Sequence, residues 1–178
     1  MIDGANPDSA GRETVAVGNS ILQIEQCSES RQYNSGDCFI VEVIVLQHDN
    51  PADPPNSFRK LAFTNLDSNV GNKAILEFGR IKNLLAALYS CDAHASLPFP
   101  GYTWGDMITN EQDPMYNAYA RDVEVTWGML LHFVAGHPTE PLKGRVVKAS
   151  GYDKPTKKLD PTGKPYNKRI FTFEPYTG

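Results

Sequence analysis

Cys38-Phe39-Ile40-Val41-Glu42-Val43-Ile44-Val45-Leu46-Gln47 decides the fold. The run is rich in valine and isoleucine, and Glu42 is its one charge. Gly36-Asp37 bounds it on one side, and Pro51, Pro54 and Pro55 follow it on the other. A short apolar run between turn signals predicts a strand buried on most of both faces. Residues 14–26 precede it with strand character, and Ile21, Leu22 and Ile24 suggest a partly alternating face. The polar stretch 28–37 reads as the break between them, so the pair predicts a long hairpin.

Further out, 48–57 is a proline-rich loop and 58–65 a weak third strand. Ile75, Phe78, Ile81, Leu85 and Leu88 recur at three-to-four spacing and predict a helix over 72–91. Residues 94–106 are rich in Pro, Gly and aromatics and read as loop. Asp113-Pro114 resembles a helix cap followed by a first-turn proline, opening a helix over 114–123. Residues 126–134 fit either a helix or a buried strand, and 136–141 a turn. Near the end, 145–151 reads as a strand, 152–165 as a long loop and 166–174 as a closing strand. Strands at both ends with helices between them predict a mainly β (α+β) protein. The expected form is a small β-barrel with a helical insertion around 69–135, in one domain over 14–178 behind a flexible arm, 1–13.

Charge is distributed unevenly. Nine of the seventeen basic residues lie between Lys143 and Arg169, against two acids, Asp153 and Asp160, for a formal +7. The whole chain is −4, which leaves −11 on the remainder. Positive charge gathered in one segment of an acidic chain points to a polyanionic partner. Tyr152 and Tyr166 lie among these lysines, and cations interleaved with rings suit single-stranded nucleic acid.

Other chemistries find little support. The three cysteines are widely spaced without a CxxC, and the four histidines do not pair with one another at helical spacing, so a zinc site is unsupported. There is no phosphate-binding GxxxxGK[ST], no GxGxxG after a strand, no HExxH and no GxSxG elbow. No catalytic residue, metal or cofactor is assigned. No apolar run approaches the roughly 18 residues of a membrane span, and residues 1–12 lack a signal-peptide layout. A cytoplasmic protein is expected.

Gly18-Asn19-Ser20-Ile21-Leu22-Gln23-Ile24, Ser28-Glu29-Ser30-Arg31 and Gly36-Asp37-Cys38-Phe39-Ile40-Val41-Glu42 make up the first hairpin. Leu142-Lys143-Gly144-Arg145-Val146-Val147, Gly163-Lys164-Pro165-Tyr166 and Phe171-Thr172-Phe173-Glu174-Pro175 make up the last. Together they resemble the single-stranded DNA-binding proteins of tailed bacteriophages, over about half the chain. The resemblance implies an OB-like barrel that coats single strands during phage replication or recombination. Replication or recombination proteins would be further partners, and the host cytoplasm the location. Members often end in an acidic tail that recruits such partners, and no acidic run follows Phe173 in this sequence.

The expected contacts are Lys154, Lys157, Lys158 and Lys164 in the basic loop, with Arg145, Lys148, Lys168 and Arg169 flanking it. Tyr152 and Tyr166 are the stacking candidates, and Arg31 and Tyr33 form a second rim in the other hairpin. Trp104 and Tyr102 could stack a base or plug the barrel end. Two rival readings stand beside this one. A virion or assembly subunit would use the basic hairpin as an arm against a neighbour. A metal-dependent nuclease would gather acids from distant positions.

Overall fold

The computed structural model describes residues 12–32, 36–67, 73–90, 140 and 142–178. They form five strands and one helix: β1 (Gly18–Gln32), β2 (Gly36–His48), β3 (Ser57–Phe63), α1 (Lys73–Leu88), β4 (Val146–Leu159) and β5 (Pro165–Pro175). The protein is mainly β. The strands make one antiparallel sheet in the order β3-β2-β1-β4-β5, with the helix between β3 and β4 in sequence.

β2 lies inside this sheet and is buried on both pleats from Cys38 to Val43, as its composition predicts. On one pleat Phe39, Val41, Val43 and Val45 meet Leu22 and Ile24 of β1, Leu61 and Phe63 of β3, and Val147 and Ala149 of β4. The rings of Phe39 and Phe63, opposite each other in register, stack at 6.2 Å. Phe78, Ile81, Leu84, Leu85 and Leu88 of α1 complete this core. Their three-to-four spacing is the reason residues 73–88 fold as a helix against a sheet face.

Two expected boundaries move. The polar stretch from Ser28 does not break the first strand, because β1 continues to Gln32 and stays paired with β2. Residues 152–165 are not a long loop: β4 runs to Leu159 and β5 starts at Pro165, leaving a turn of 160–164.

The expected closed barrel is also corrected. Among the described residues the sheet is open, with β3 and β5 as its edges. The chain before β1 occupies the edge that closure would need. Val15 N–H donates to Lys60 O (3.1 Å) and Lys60 N–H to Glu13 O (3.0 Å), so residues 13–15 take up the outward backbone groups of Lys60 in β3. Val15 is fully buried in the core.

Side chains from the end of β2 and the β2–β3 loop hold this segment down. Asp53, only 3% exposed, accepts Ala16 N–H at 2.7 Å and pairs with Arg59 Nε at 2.7 Å. The buried His48 ring accepts Asn50 N–H at Nδ1 (2.9 Å), so Nε2 carries the hydrogen and donates to Ala16 O (3.1 Å). Asn50 Nδ2 reaches Val17 O at 2.9 Å.

Candidate nucleic-acid interface

The sheet's register makes the β4–β5 hairpin project. β1 pairs with β4 only from Gly18, opposite Gly151, to Gln23, opposite Val146. β4 runs away from β1 beyond Gly151, and from there its only strand partner among the described residues is β5. The outcome is a two-stranded ribbon, 152–169. From Tyr152 to Leu159 its first strand is exposed at every position but Thr156.

Asp160 ties the tip. Its carboxylate accepts the Thr162 hydroxyl (2.6 Å), Thr162 N–H (2.8 Å) and Lys164 N–H (2.9 Å). These bonds, led by the Thr162 hydroxyl, lower its pKa. Gly163 sits at φ +84°, where a side chain would be strained.

Lys154, Lys157, Lys158 and Lys164 have no acidic partner within 4.0 Å among the described residues. Tyr152 and Tyr166 are each 48% exposed, and Lys158 Nζ lies 6.0 Å from the centre of the Tyr166 ring. Both ribbon acids are engaged, Asp160 in the turn and Asp153 with Arg169. Lys154 and Lys168 are directly opposed in register. Like charges in that arrangement repel, and Glu77 of α1 relieves the repulsion by pairing with Lys168 at 3.0 Å.

Alternation along β4 puts Lys148, Ser150, Tyr152 and Lys154 on the pleat opposite the core residues Val147 and Ala149. Where this line meets the sheet there is a groove of about 520 Å³. Asn19, Ile21, Gln47, Lys148, Ser150, Thr172 and Glu174 line it from four strands. Lys148 faces Ile21 on one side and Glu174 on the other. Of these lining residues, Lys148 alone was expected from sequence to flank a groove. The lining residues are scattered over more than 150 positions, and only the strand register brings them together.

The remaining expected residues lie elsewhere. Arg145 precedes β4 and stacks on Tyr89 at 3.9 Å, with its guanidinium 3.5 Å from Leu88 O at the end of α1. Arg31 is near the far end of β1, opposite Asp37. The ribbon leaves the near end of β1, so about 40 Å of strand separates the two. Tyr33, Tyr102 and Trp104 lie outside the described residues, as does the expected helix over 114–123. No group of three His, Cys, Asp or Glu side chains among the described residues could hold a metal ion. No helix there is long and apolar enough to cross a membrane. No protein-family model matches the chain, and no curated protein matches its sequence.

Proposed function

We propose that this chain is a non-enzymatic single-stranded DNA-binding protein that uses the β4–β5 ribbon and the groove at its foot. One observation carries the reading: four lysines with no acidic partner among the described residues and two half-exposed tyrosine rings share a ribbon projecting from the sheet. Lysines on such a ribbon neutralise phosphates and release counterions. Each ring that stacks a base adds about 1–3 kcal/mol, and only unpaired bases offer their faces. The combination favours single strands over duplex with little regard for sequence. The resemblance to phage single-strand binders supports the same reading, with a role in replication or recombination in the host cytoplasm and contacts to proteins of those processes.

The test is fluorescence anisotropy with labelled oligo-dT and a duplex of equal length. Tight binding to the single strand and weak binding to duplex are expected. Lys157→Glu combined with Lys158→Glu should weaken single-strand binding at least tenfold at moderate salt. Absence of binding at low salt would overturn the reading.

One feature favours a second reading, an assembly subunit. Leu159, 58% exposed, sits at the ribbon tip, and β5 presents an edge with no further strand beside it among the described residues. That reading predicts concentration-dependent oligomers without DNA in sedimentation velocity.

A further inference from the structure

Neighbouring residues of a strand point to opposite faces. At the root of the ribbon, Lys168 and Arg169 do so, and each grips a different part of the body. On one face Arg169 makes a bidentate pair with Asp153 across the ribbon, Nε to Oδ1 at 3.0 Å and the second nitrogen to Oδ2 at 3.3 Å. Its remaining nitrogen donates to Val15 O at 3.3 Å. Val15 is fully buried and bonded through its own N–H to β3. On the other face Lys168 reaches Glu77 Oε1 at 3.0 Å. Glu77 is buried in α1 and also accepts Thr64 N–H at 3.1 Å, just past the end of β3.

A lone pair of strands has no sheet neighbour to fix its direction. One exposed ion pair would add little. Here two anchors act on opposite faces at adjacent residues, and each ends on a buried group of the body. We infer that Lys168 and Arg169, with Asp153 and Glu77, are positioning residues. They hold the ribbon at a set angle to the groove, so that one strand can run from Lys157 and Lys158 past Tyr152 to Lys148. They do not act as phosphate contacts. The inference rests on the single-strand reading above.

The sign of one effect separates positioning from plain electrostatics. Asp153→Ala removes a negative charge from the ribbon. Electrostatics alone predicts tighter binding to oligo-dT, whereas loss of the anchor predicts weaker binding, by about fivefold or more. Under positioning, Arg169→Gln should likewise weaken binding while leaving the slope of log affinity against log salt at its wild-type value. Lys164→Gln should reduce that slope, as removal of a phosphate contact does. Asp153→Glu should restore wild-type affinity.

Amide hydrogen exchange over 152–158, followed by mass spectrometry without DNA, should speed up in Asp153→Ala. Exchange over β1 and β2 should not change, which separates a loosened ribbon from a misfolded chain. Tighter binding by Asp153→Ala, or unchanged binding with wild-type exchange, would overturn the anchor while leaving the strand-binding reading in place. A wild-type chain that fails to bind oligo-dT at low salt would overturn both.

Discussion

Asp53 shows how much one carboxylate in a loop determines. It accepts the buried Ala16 N–H, pairs with Arg59 and lies 3.7 Å from His48 Nε2. These contacts hold residues 15–17 in place, and Val15 in turn receives Arg169 from the ribbon. Asp53→Ala leaves a buried N–H without an acceptor, which costs about 1–3 kcal/mol by itself. Urea denaturation should show a loss of at least about 2 kcal/mol, with Asp53→Asn milder because its amide oxygen can still accept. Nothing in Asp49-Asn50-Pro51-Ala52-Asp53-Pro54-Pro55 marks this aspartate, since prolines and acids are ordinary loop composition. The cysteines were more legible. Their odd number and wide spacing offer no disulfide framework, and Cys27 and Cys38 are not disulfide-bonded. Burial first and Glu42 second push Cys27 up to about 12, and burial raises Cys38. In a Cys91→Ser background, neither thiol should react with a disulfide reagent at pH 8 in the native state, and both should react after unfolding. The raised values also set a sign for stability. Keeping Cys27 protonated helps the folded state below the ordinary thiol value of 9.0. That contribution is lost as pH climbs from there toward 12.

Elements buried on at least one face were legible, and elements exposed on both faces were not. β2 and α1 carry their partners in their spacing, because a buried face must be apolar at every second residue or every third to fourth. The outer half of β4 has no buried face. Asp153, Lys154, Pro155, Lys157 and Lys158 therefore show no alternation, and Pro155 argues for a loop. A proline is tolerated there because β4 beyond Gly151 pairs with β5 alone among the described residues, so its missing N–H breaks no second ladder. From Ser28 on, β1 pairs with β2 alone among the described residues, and its run of polar residues reads as a break. What holds the outer half of β4 in strand form is its turn. Asp160→Ala removes the acceptor of three hydrogen bonds and should fray the tip. Amide exchange at Leu159, Lys164 and Tyr166 should rise severalfold, while β2 amides keep their protection.

At the scale of the whole molecule, the sheet's stagger sets the ribbon apart. β2 accompanies β1 along almost its whole length, from Ser20 to Gln32, whereas β4 pairs only with its near end, from Gly18 to Gln23, and departs from there with β5. Among the described residues, Glu140, Glu77 and Asp153 pair with Lys143, Lys168 and Arg169 of the strongly basic stretch. Which of its cations are available is a property of the fold. Arg145, Lys168 and Arg169 are matched to Tyr89, Glu77 and Asp153, and composition alone could not distinguish them from the other lysines. Four ribbon lysines remain, and they set a measurable quantity. Each phosphate neutralised on a single strand contributes about −0.7 to the slope of log affinity against log salt. If Lys154, Lys157, Lys158 and Lys164 each meet one phosphate, the slope is about −3, roughly a fifty-fold loss of affinity between about 50 and 200 mM salt. Lys157→Ala with Lys158→Ala should bring it to about −1.4. Tyr152→Ala with Tyr166→Ala should lower affinity at every salt concentration and leave the slope unchanged, because stacking releases no counterions. Separate effects on slope and offset would assign phosphates to the lysines and bases to the rings. A slope near about −5 that falls when Arg145, Lys168 or Arg169 is neutralised would mean that the strand displaces their internal partners, and the division drawn from the fold would be wrong.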